Sequence, residues 1–316
     1  MQIQKRLRGL DGLRGIAVLA VMAYHYDEQR AHFGLLGVEM FFIISGFVIL
    51  MTIEKTNSLF AFVWHRVTRL YPVYLLSVGL AGSILLMQHQ TTLPIVAVNA
   101  TMLQGFLHVK TLVDPYWTLA YELWFYVIIA VIFATGLGRK VDRIALLWLS
   151  GMILFRTAMP YSGHAQGMYE NWAFQLLAMP QFGHLFIAGM MIYRITWHRK
   201  TPEATCALSL AALYSLFGRP DWAQISPVIY FTANAAFIIL VWAASRGALI
   251  PLAGVGMISY SLYLLHAPIL LIIPAFNVIG ALTALLVTFL ISVLSWRYIE
   301  RPVQQLARSH GPQREP

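Results

Sequence analysis

Long apolar runs alternate with short polar segments along the whole chain, beginning near residue 10. A membrane core about 30 Å thick requires roughly 20 mostly apolar residues for each helical crossing. Ten runs of this kind are present, with approximate bounds of 10–27, 35–53, 70–88, 117–136, 143–160, 179–196, 204–218, 226–245, 251–273 and 277–297. Because the runs lack the polar/apolar alternation of barrel strands, we expect an all-α, polytopic transmembrane helical bundle of about ten helices.

Positive charge is distributed unevenly between the ends of the predicted spans. With the N-terminus placed in the cytoplasm, all but four of the 22 Lys and Arg residues fall on the cytoplasmic side; the exceptions are Arg30, Lys110, Arg156 and Arg219. Because basic residues near span ends are retained in the cytoplasm, we expect both termini to be cytoplasmic. The net charge of +9 then reflects topology, with anionic lipid as its default partner and no nucleic-acid binding expected.

The composition agrees with an integral membrane protein, since 59% of the residues are hydrophobic and only 11% are charged. Cys206 is the only cysteine, so no disulfide or thiolate zinc site can form within the chain, and no metal is expected. No small-residue cleavage pattern follows the first apolar run, so we expect this helix to remain in the protein.

No linker, repeat or shift in composition marks a domain boundary. We therefore predict a single integral-membrane domain over residues 1–316, with a short cytoplasmic tail from about residue 303. The loops between predicted spans are shorter than the roughly 50 residues of the smallest domains. The patterns of a phosphate-binding loop, a nucleophile elbow and a zinc protease are not found. Chemistry is therefore expected within the helical bundle or at its mouths.

Three ionisable residues lie within the first predicted span, LDGLRGIAVLAVMAYHY. Arg14 and His25 are eleven positions apart, so on a helix they lie within about 20° of each other and roughly 16 Å apart along the axis. Asp11 belongs to the same stripe. Since polar groups at membrane depth face the bundle interior or a water-filled cavity, the stripe is either a structural ion pair with a hydrogen-bonded histidine or part of a polar site.

Three further ionisable side chains are predicted at the depth of His25, near the outer ends of their helices. Glu39 lies in GVEMFFIISGF, Glu122 in WTLAYELWFY and His266 in MISYSLYLLHAPI. A carboxylate that orients an imidazole makes it a better general base. The group is therefore a candidate catalytic site, although a proton relay would use the same residue types.

A basic pair lies on the predicted cytoplasmic side, in FVWHRVTRLYPVY. If this segment is helical, Arg66 and Arg69 lie side by side, and guanidinium groups match phosphate oxygens well. With Arg14 they would form an anion-binding mouth; retention of positive charge in the cytoplasm is the alternative explanation. Gly46, in mid-helix, would permit either close helix packing or a hinge.

The chain resembles the membrane-bound acyltransferase 3 family in six segments that occur in the same order: LDGLRGIAVLAVMAYHY, VEMFFIISGFVI, RVTRLYPVY, WTLAYELWFY, ISYSLYLLHAPI and YIERP. The resemblance runs from about residue 6 to 302. It implies a bundle of about ten helices that transfers acyl groups, commonly acetyl from acetyl-coenzyme A, to hydroxyls of envelope or extracellular carbohydrates and of some small molecules.

The resemblance also implies roles for single residues. Arg14 and His25 match the family's paired arginine and histidine, with His25 as the catalytic residue. Arg66 and Arg69 match its Arg-x-x-Arg motif near the donor site, and Glu122 matches its acidic residue. Some relatives carry an additional soluble esterase-like domain; this chain ends at 316, so we expect no second acyl-handling site on it.

A common reaction follows from these implied roles. Acetyl-coenzyme A is the expected donor co-substrate, with no permanently bound cofactor; the three arginines would hold its phosphates while its thioester lies near His25. His25 would deprotonate the acceptor hydroxyl while Glu39 or Glu122 orients the imidazolium. A covalent acetyl-imidazole intermediate is the alternative.

Three residues are predicted to bind substrate: Arg156, Tyr263 and His266. Tyr263 and His266 are three positions apart on one helix face, so a hydrogen-bonded structural pair is the alternative for them. His184 is expected to be a packing residue.

The sequence thus favours an O-acetyltransferase of the bacterial cytoplasmic (inner) membrane that modifies a surface or exported polysaccharide or its lipid-linked precursor. The expected partners are acyl-coenzyme A, a carbohydrate or lipid-linked glycan, membrane lipid and proteins of polysaccharide biosynthesis. An acyltransferase for small molecules or antibiotics and a non-enzymatic transporter are the alternatives. The paired halves with interrupted helices that are typical of transporters are not found in the sequence.

Overall fold

The computed structural model describes residues 2–56, 58–158, 179, 181–198, 200–218 and 224–310, with side chains for 8–56, 58–154, 179, 181–198, 200–218 and 224–307. This part of the chain is helical and contains no strand. The α-helices in chain order are α1 Gln2–Tyr26, α2 Gly37–Lys55, α3 Leu59–Met87, α4 Leu93–Ala100, α5 Tyr116–Ala134, α6 Val141–Ala158, α7 Gly183–Trp197, α8 Pro202–Tyr214, α9 Pro227–Ser245, α10 Ala253–Met257, α11 Ser259–Ile272, α12 Val278–Ser295 and α13 Arg301–His310. Short 3₁₀ helices cover His32–Leu36 and Leu137–Lys140, and a π-helical turn covers Trp296–Glu300.

Each of the ten predicted spans coincides with helix, and the last but one is covered by two helices, α10 and α11. Five helical stretches in the described ranges are long and apolar enough to cross a membrane: His32–Lys55, Leu59–Met87, Tyr116–Ala134, Pro227–Ser245 and Val278–Ala307. The prediction of an all-α helical membrane bundle is confirmed.

The segment 54–69, which lies between two predicted spans on the predicted cytoplasmic side, is mostly helix. Helix α3 begins at Leu59 after the N-cap Ser58, whose side chain accepts a hydrogen bond from the Ala61 amide at 3.1 Å. Hydropathy falls at the basic residues of this segment, but long basic side chains extend to water at a membrane boundary without breaking a helix. As a result, Arg66 and Arg69 lie on a regular helix rather than in a loop.

Packing of the backbone divides the chain into two compact units. The first contains Met1–Arg14, Val38–Lys55 and Trp124–Ala253, and the second contains Gly15–Gly37, Thr56–Leu123 and Gly254–Pro316. The single domain over residues 1–316 stays a prediction. The expected tail from about residue 303 begins within helix α13, and residues 311–316 lie outside the described part of the chain.

Helix α7 is the centre of the first unit. Its residues from Gly183 to Tyr193 are buried on all sides, as expected for a helix that is apolar around its whole circumference. A methyl group at Gly46 of α2 would overlap the carbonyl oxygen of Phe186 in α7, and one at Gly189 would overlap that of Ile43. The backbones of α2 and α7 are therefore in direct contact, which is the close-packing alternative for Gly46.

The second unit is assembled around α3, α11 and α12, with α13 packed on α3. Its apolar core contains Leu265, Ile269 and Ala284. Polar anchors accompany this core: the Ser77 hydroxyl donates to the Leu264 carbonyl at 2.6 Å, and the Tyr260 hydroxyl donates to the Leu70 carbonyl at 2.7 Å. These bonds hold α3 and α11 in a defined register.

The glycine contact in the first unit generates a prediction. Gly46→Ala should lower the thermal unfolding temperature of the detergent-solubilised protein, because overpacking of this kind costs about 1–3 kcal/mol. Gly79→Ala in α3 is the matched control, since nothing lies within 4 Å of the added methyl group. That control should match or exceed the wild type, because alanine favours a helix by about 1 kcal/mol. Equal unfolding temperatures for the two variants would contradict the close contact.

Candidate functional site

His25 lies one residue before the end of α1, and both nitrogens of its ring have neighbours. Nδ1 is 2.9 Å from the carbonyl oxygen of Val21 and 3.4 Å from Nε2 of His266. Nε2 is 3.4 Å from Oδ2 of Asp114. Two histidines and one carboxylate of the second unit therefore form a continuous chain of contacts, which we call the histidine cluster.

The hydrogen positions in this cluster follow from the neighbouring groups. His266 is fully buried in α11, and its Nδ1 is 3.1 Å from the Leu262 carbonyl oxygen. A carbonyl oxygen only accepts, so His266 carries its hydrogen on Nδ1 and directs a bare Nε2 at His25. Nδ1 of His25 thus faces two acceptors, namely that nitrogen and the Val21 carbonyl. It must donate, which leaves Nε2 as the nitrogen of His25 available for proton transfer.

Asp114 is presented by the segment between α4 and α5. The carbonyl of the next residue, Pro115, accepts hydrogen bonds from the Thr118 hydroxyl at 2.9 Å and from the Tyr263 hydroxyl at 3.4 Å. The two hydroxyls are themselves 2.8 Å apart. Tyr263 is therefore a structural anchor of the segment that carries Asp114, and it also lies with its ring centroid 6.1 Å from that of His266.

Two buried amides hold the rest of this segment. The Asn99 side chain donates to the carbonyl of Lys110 at 3.0 Å and accepts from the amide of Leu112 at 3.1 Å. Gln104 donates to the carbonyl of Tyr116 at 3.2 Å. Both amide side chains are fully buried. The chain on either side of Asp114 is thus fixed by hydrogen bonds from within the second unit.

The electrostatics of Asp114 depend on His25. Its side chain is 72% exposed, whereas that of His25 is 18% exposed. The hydrogen bond from His25 lowers the pKa of the Asp114 carboxyl below its ordinary value, with a smaller opposing effect of partial burial and further help from the charge of His25. Asp114 is therefore a carboxylate at the mouth of the cluster.

A second polar cluster surrounds Arg69 of α3. Its guanidinium forms an ion pair with Glu300, which is 1% exposed and lies at the end of the π-helical turn. Glu300 also accepts hydrogen bonds from the Ser261 hydroxyl at 3.0 Å and from the Gln304 side chain at 3.2 Å. The Arg69 guanidinium lies 5.4 Å from the ring of Tyr260. We call this group the arginine cluster.

Arg66 and Arg69 are three residues apart on α3 and therefore on neighbouring positions of one helix face. The Arg66 guanidinium lies 5.8 Å from the ring of Phe62. Ser261 of the arginine cluster and His266 of the histidine cluster are five residues apart on α11. Five residues of helix rise about 8 Å, so the two clusters are near one another along this axis.

Arg14 and Glu39 are predicted site residues that belong to the first unit. Arg14 forms an ion pair with Asp11 at 2.9 Å, which is one of the alternatives given for this stripe. Glu39 is also in the first unit and is fully buried near Tyr230. Glu122 is half-buried in α5.

The backbone at Arg156 is in α6, but its side chain lies outside the described side chains. His184 is fully buried, with its ring 5.0 Å from that of Tyr214, as expected for a packing residue.

The sequence predicted that Glu39 or Glu122 would lie beside the His25 ring. The structure puts Asp114 there. Asp114 escaped notice because it follows no helical periodicity and precedes α5 by two residues. One signal was available: it is the only acidic residue between positions 88 and 116. Glu300 was missed because its partner, Arg69, is 231 positions away.

Comparisons with known proteins show which family the chain resembles. Residues 7–297 match a family model described as an acyltransferase domain, Acyl_transf_3. The chain is 27% identical to a Komagataeibacter xylinus protein named as a membrane-bound transacylase, BcsY, over 94% of this chain and 83% of that protein.

Two longer relatives also match. One is named as a peptidoglycan O-acetyltransferase, YrhL, of Bacillus subtilis, with 24% identity over 96% of this chain and 56% of its own length. The other is O-acetyltransferase OatA of Staphylococcus aureus, with 25% identity over 96% of this chain and 58% of its own length. The chain therefore spans little more than half of these two relatives. No solved structure matches the chain.

A family match over nearly the whole chain, together with a helical membrane bundle, identifies the protein class: the chain belongs to the acyltransferase 3 family and is a membrane-bound acyltransferase.

Proposed function

We propose that this protein is an O-acetyltransferase of a bacterial cytoplasmic membrane. It moves an acetyl or small acyl group from cytoplasmic acyl-coenzyme A to a hydroxyl of a surface or exported polysaccharide or of its lipid-linked precursor. The observation that carries the proposal is His25, whose Nδ1 donates to the Val21 carbonyl while its Nε2 points to the mouth of the cluster. A histidine fixed in this way is suited to act as a general base.

The reaction balances with His25 as the only proton carrier. Bare Nε2 of His25 takes the proton of the acceptor hydroxyl while the hydroxyl oxygen forms a bond to the thioester carbonyl carbon. The carbon–sulfur bond then breaks, and the leaving thiolate takes the proton from Nε2. The products are the O-acyl ester and free coenzyme A, and His25 returns to its neutral form. His266 directs its bare Nε2 at Nδ1 of His25 and so gives no proton to that nitrogen, and Nε2 of His25 remains the reacting nitrogen.

Donor binding is assigned to the arginines. The phosphates of coenzyme A are anionic, and Arg66 and Arg69 present two guanidinium groups on one face of α3. The ion pair with buried Glu300 orients Arg69 and leaves 31% of its side chain exposed. Because the arginine and histidine clusters share α11 about 8 Å apart along its axis, a donor bound at the first would extend its thioester arm toward the second. Arg14 is kept as a further donor-binding residue on the family resemblance.

A carbohydrate acceptor is supported by the relatives, one of which is named as a peptidoglycan O-acetyltransferase. Proteins of polysaccharide biosynthesis and membrane lipid are the corresponding partners. Membership of an acyltransferase family favours this function over the transporter alternative. Glu39 and Glu122 stay predicted catalytic residues, and Arg156, Tyr263 and His266 stay predicted substrate-binding residues.

The role of His25 can be tested on the donor alone. Purified protein should release free coenzyme A slowly from acetyl-coenzyme A, with water as the acceptor. His25→Asn should lower this rate about 10²–10⁴-fold, because the general base is lost. His89→Asn is the matched control in an exposed turn and should keep the wild-type rate. Retained turnover in folded His25→Asn protein would remove His25 from the mechanism.

Donor binding gives a separate prediction. The double substitution Arg66→Ala, Arg69→Ala should raise the Kd of acetyl-coenzyme A by at least about tenfold, because charge-assisted hydrogen bonds contribute about 1.5–3 kcal/mol each. Arg297→Ala, an exposed arginine three residues before Glu300, controls for loss of positive charge in this region. Calorimetric titrations at low and high salt should show that the wild-type affinity falls with salt more than that of the double variant. Equal affinities would assign the pair to membrane topology alone.

A further inference from the structure

The reacting nitrogen of His25 is covered by Asp114. Nε2 lies 3.4 Å from Oδ2, and the exposed fraction of the aspartate side chain is four times that of the histidine, 72% against 18%. A hydroxyl that reaches hydrogen-bonding distance of Nε2 must therefore lie against this carboxylate or take its place. We propose that Asp114 is an acceptor-side positioning residue: it holds Nε2 of His25 until an acceptor hydroxyl, arriving from the face of the α4–α5 segment, replaces it. This inference rests on the proposed function for the identity of the acceptor.

The count of hydrogens supports an exchange. Nδ1 of His25 already donates to Val21, so a neutral His25 would direct the lone pair of Nε2 at a carboxylate that also only accepts. The pair is complementary only when one proton lies between Nε2 and Oδ2. With that proton in place, Nε2 cannot act as a base. Nε2 can therefore act as a base only after the Asp114 carboxylate has moved away from it.

The proton balance of the exchange is simple. When the acceptor separates the pair, the shared proton leaves through the exposed carboxylate to water. The acceptor hydroxyl then donates to bare Nε2 and loses its proton to it during acyl transfer, as described above. Return of Asp114 after product release takes one proton back from water. One proton is thus released on acceptor binding and one is recovered at the end of each cycle.

The position of Asp114 is built into the fold. The segment that carries it is held by Asn99 on the N-terminal side of Asp114, and on its C-terminal side by Gln104 through the Tyr116 carbonyl and by Tyr263 through the Pro115 carbonyl. Only the aspartate side chain itself is free to rotate into solvent, which requires movement about two torsions. An exchange of partners at Nε2 therefore needs no rearrangement of the helices.

The surroundings of His25 contain no other charged group in the described contacts. On its own helix the ring of Tyr24 lies 5.1 Å away, and from α11 the neutral His266 contacts Nδ1. From the α4–α5 segment, Asp114 alone faces Nε2. Removing this one carboxylate is therefore a specific perturbation of the reacting nitrogen.

The first measurement uses chemical modification and does not depend on acyl transfer. Diethyl pyrocarbonate reacts with bare imidazole nitrogens, and peptide mass spectrometry reports its addition to His25. Asp114→Asn should raise the rate of this modification near neutral pH several-fold, because the carboxylate no longer covers Nε2 or shares a proton with it. Asp27→Asn is the matched control, because Asp27 pairs with Arg30 two residues beyond His25. It should react like the wild type.

The second measurement is the pH profile of acetyl-coenzyme A hydrolysis. The profile should move in Asp114→Asn and stay in place in Asp27→Asn, because only Asp114 lies against the reacting nitrogen. Unchanged His25 modification in Asp114→Asn would overturn the proposal, and so would a loss of hydrolysis as large as that of His25→Asn. Faster modification in a protein that never hydrolyses acetyl-coenzyme A would keep the role of Asp114 and refute the proposed function instead.

Discussion

The hydrogen bond from Nδ1 of His25 to the Val21 carbonyl determines how the candidate site can work. A backbone carbonyl has no hydrogen to give, so this single bond decides which ring nitrogen is a donor. The tautomer of His266 is fixed in the same way, because its Nδ1 donates to the Leu262 carbonyl. Two backbone carbonyls, each one helical turn before its histidine, thus determine which ring nitrogen of each histidine carries the hydrogen. No charged side chain is needed to fix the tautomer.

The arginine cluster, unlike the histidine cluster, is held together by an ion pair. Glu300 is almost fully buried, and a buried carboxylate is tolerated only with a paired cation and further hydrogen bonds. Arg69 supplies the cation, and Ser261 and Gln304 supply the hydrogen bonds. Breaking such a pair typically costs about 3–5 kcal/mol, so Arg69 is held firmly by Glu300 while 31% of its side chain is exposed.

The fold was accessible from sequence because hydropathy over about 20 residues reports directly on the length of a membrane crossing. Hydropathy placed the beginning of α3 too late in the chain. Arg66 and Arg69 lower the hydropathy of a segment that is nevertheless helical. His25 and His266 were found because both lie in apolar helices, where an ionisable residue is conspicuous.

Asp114 and Glu300 could not be placed in the same way. Asp114 lies in a segment with no periodicity, and its position results from hydrogen bonds made by Asn99 and Gln104. Glu300 lies in a polar stretch after the last span, and its role depends on a partner more than two hundred residues earlier. Helix periodicity predicts which face of its own helix a residue occupies. The contacts of these two acids are made with segments that are distant in the sequence, so periodicity does not predict them.

The π-helical turn Trp296–Glu300 makes the direction of the Glu300 side chain depend on the winding of the backbone as well as on residue identity. A turn of this kind accommodates one residue more than a regular helical turn, and each residue of an α-helix turns the chain by about 100°. Regular winding through the same residues would therefore rotate Glu300 away from its present direction. The wide turn is thus part of what brings this buried carboxylate to Arg69.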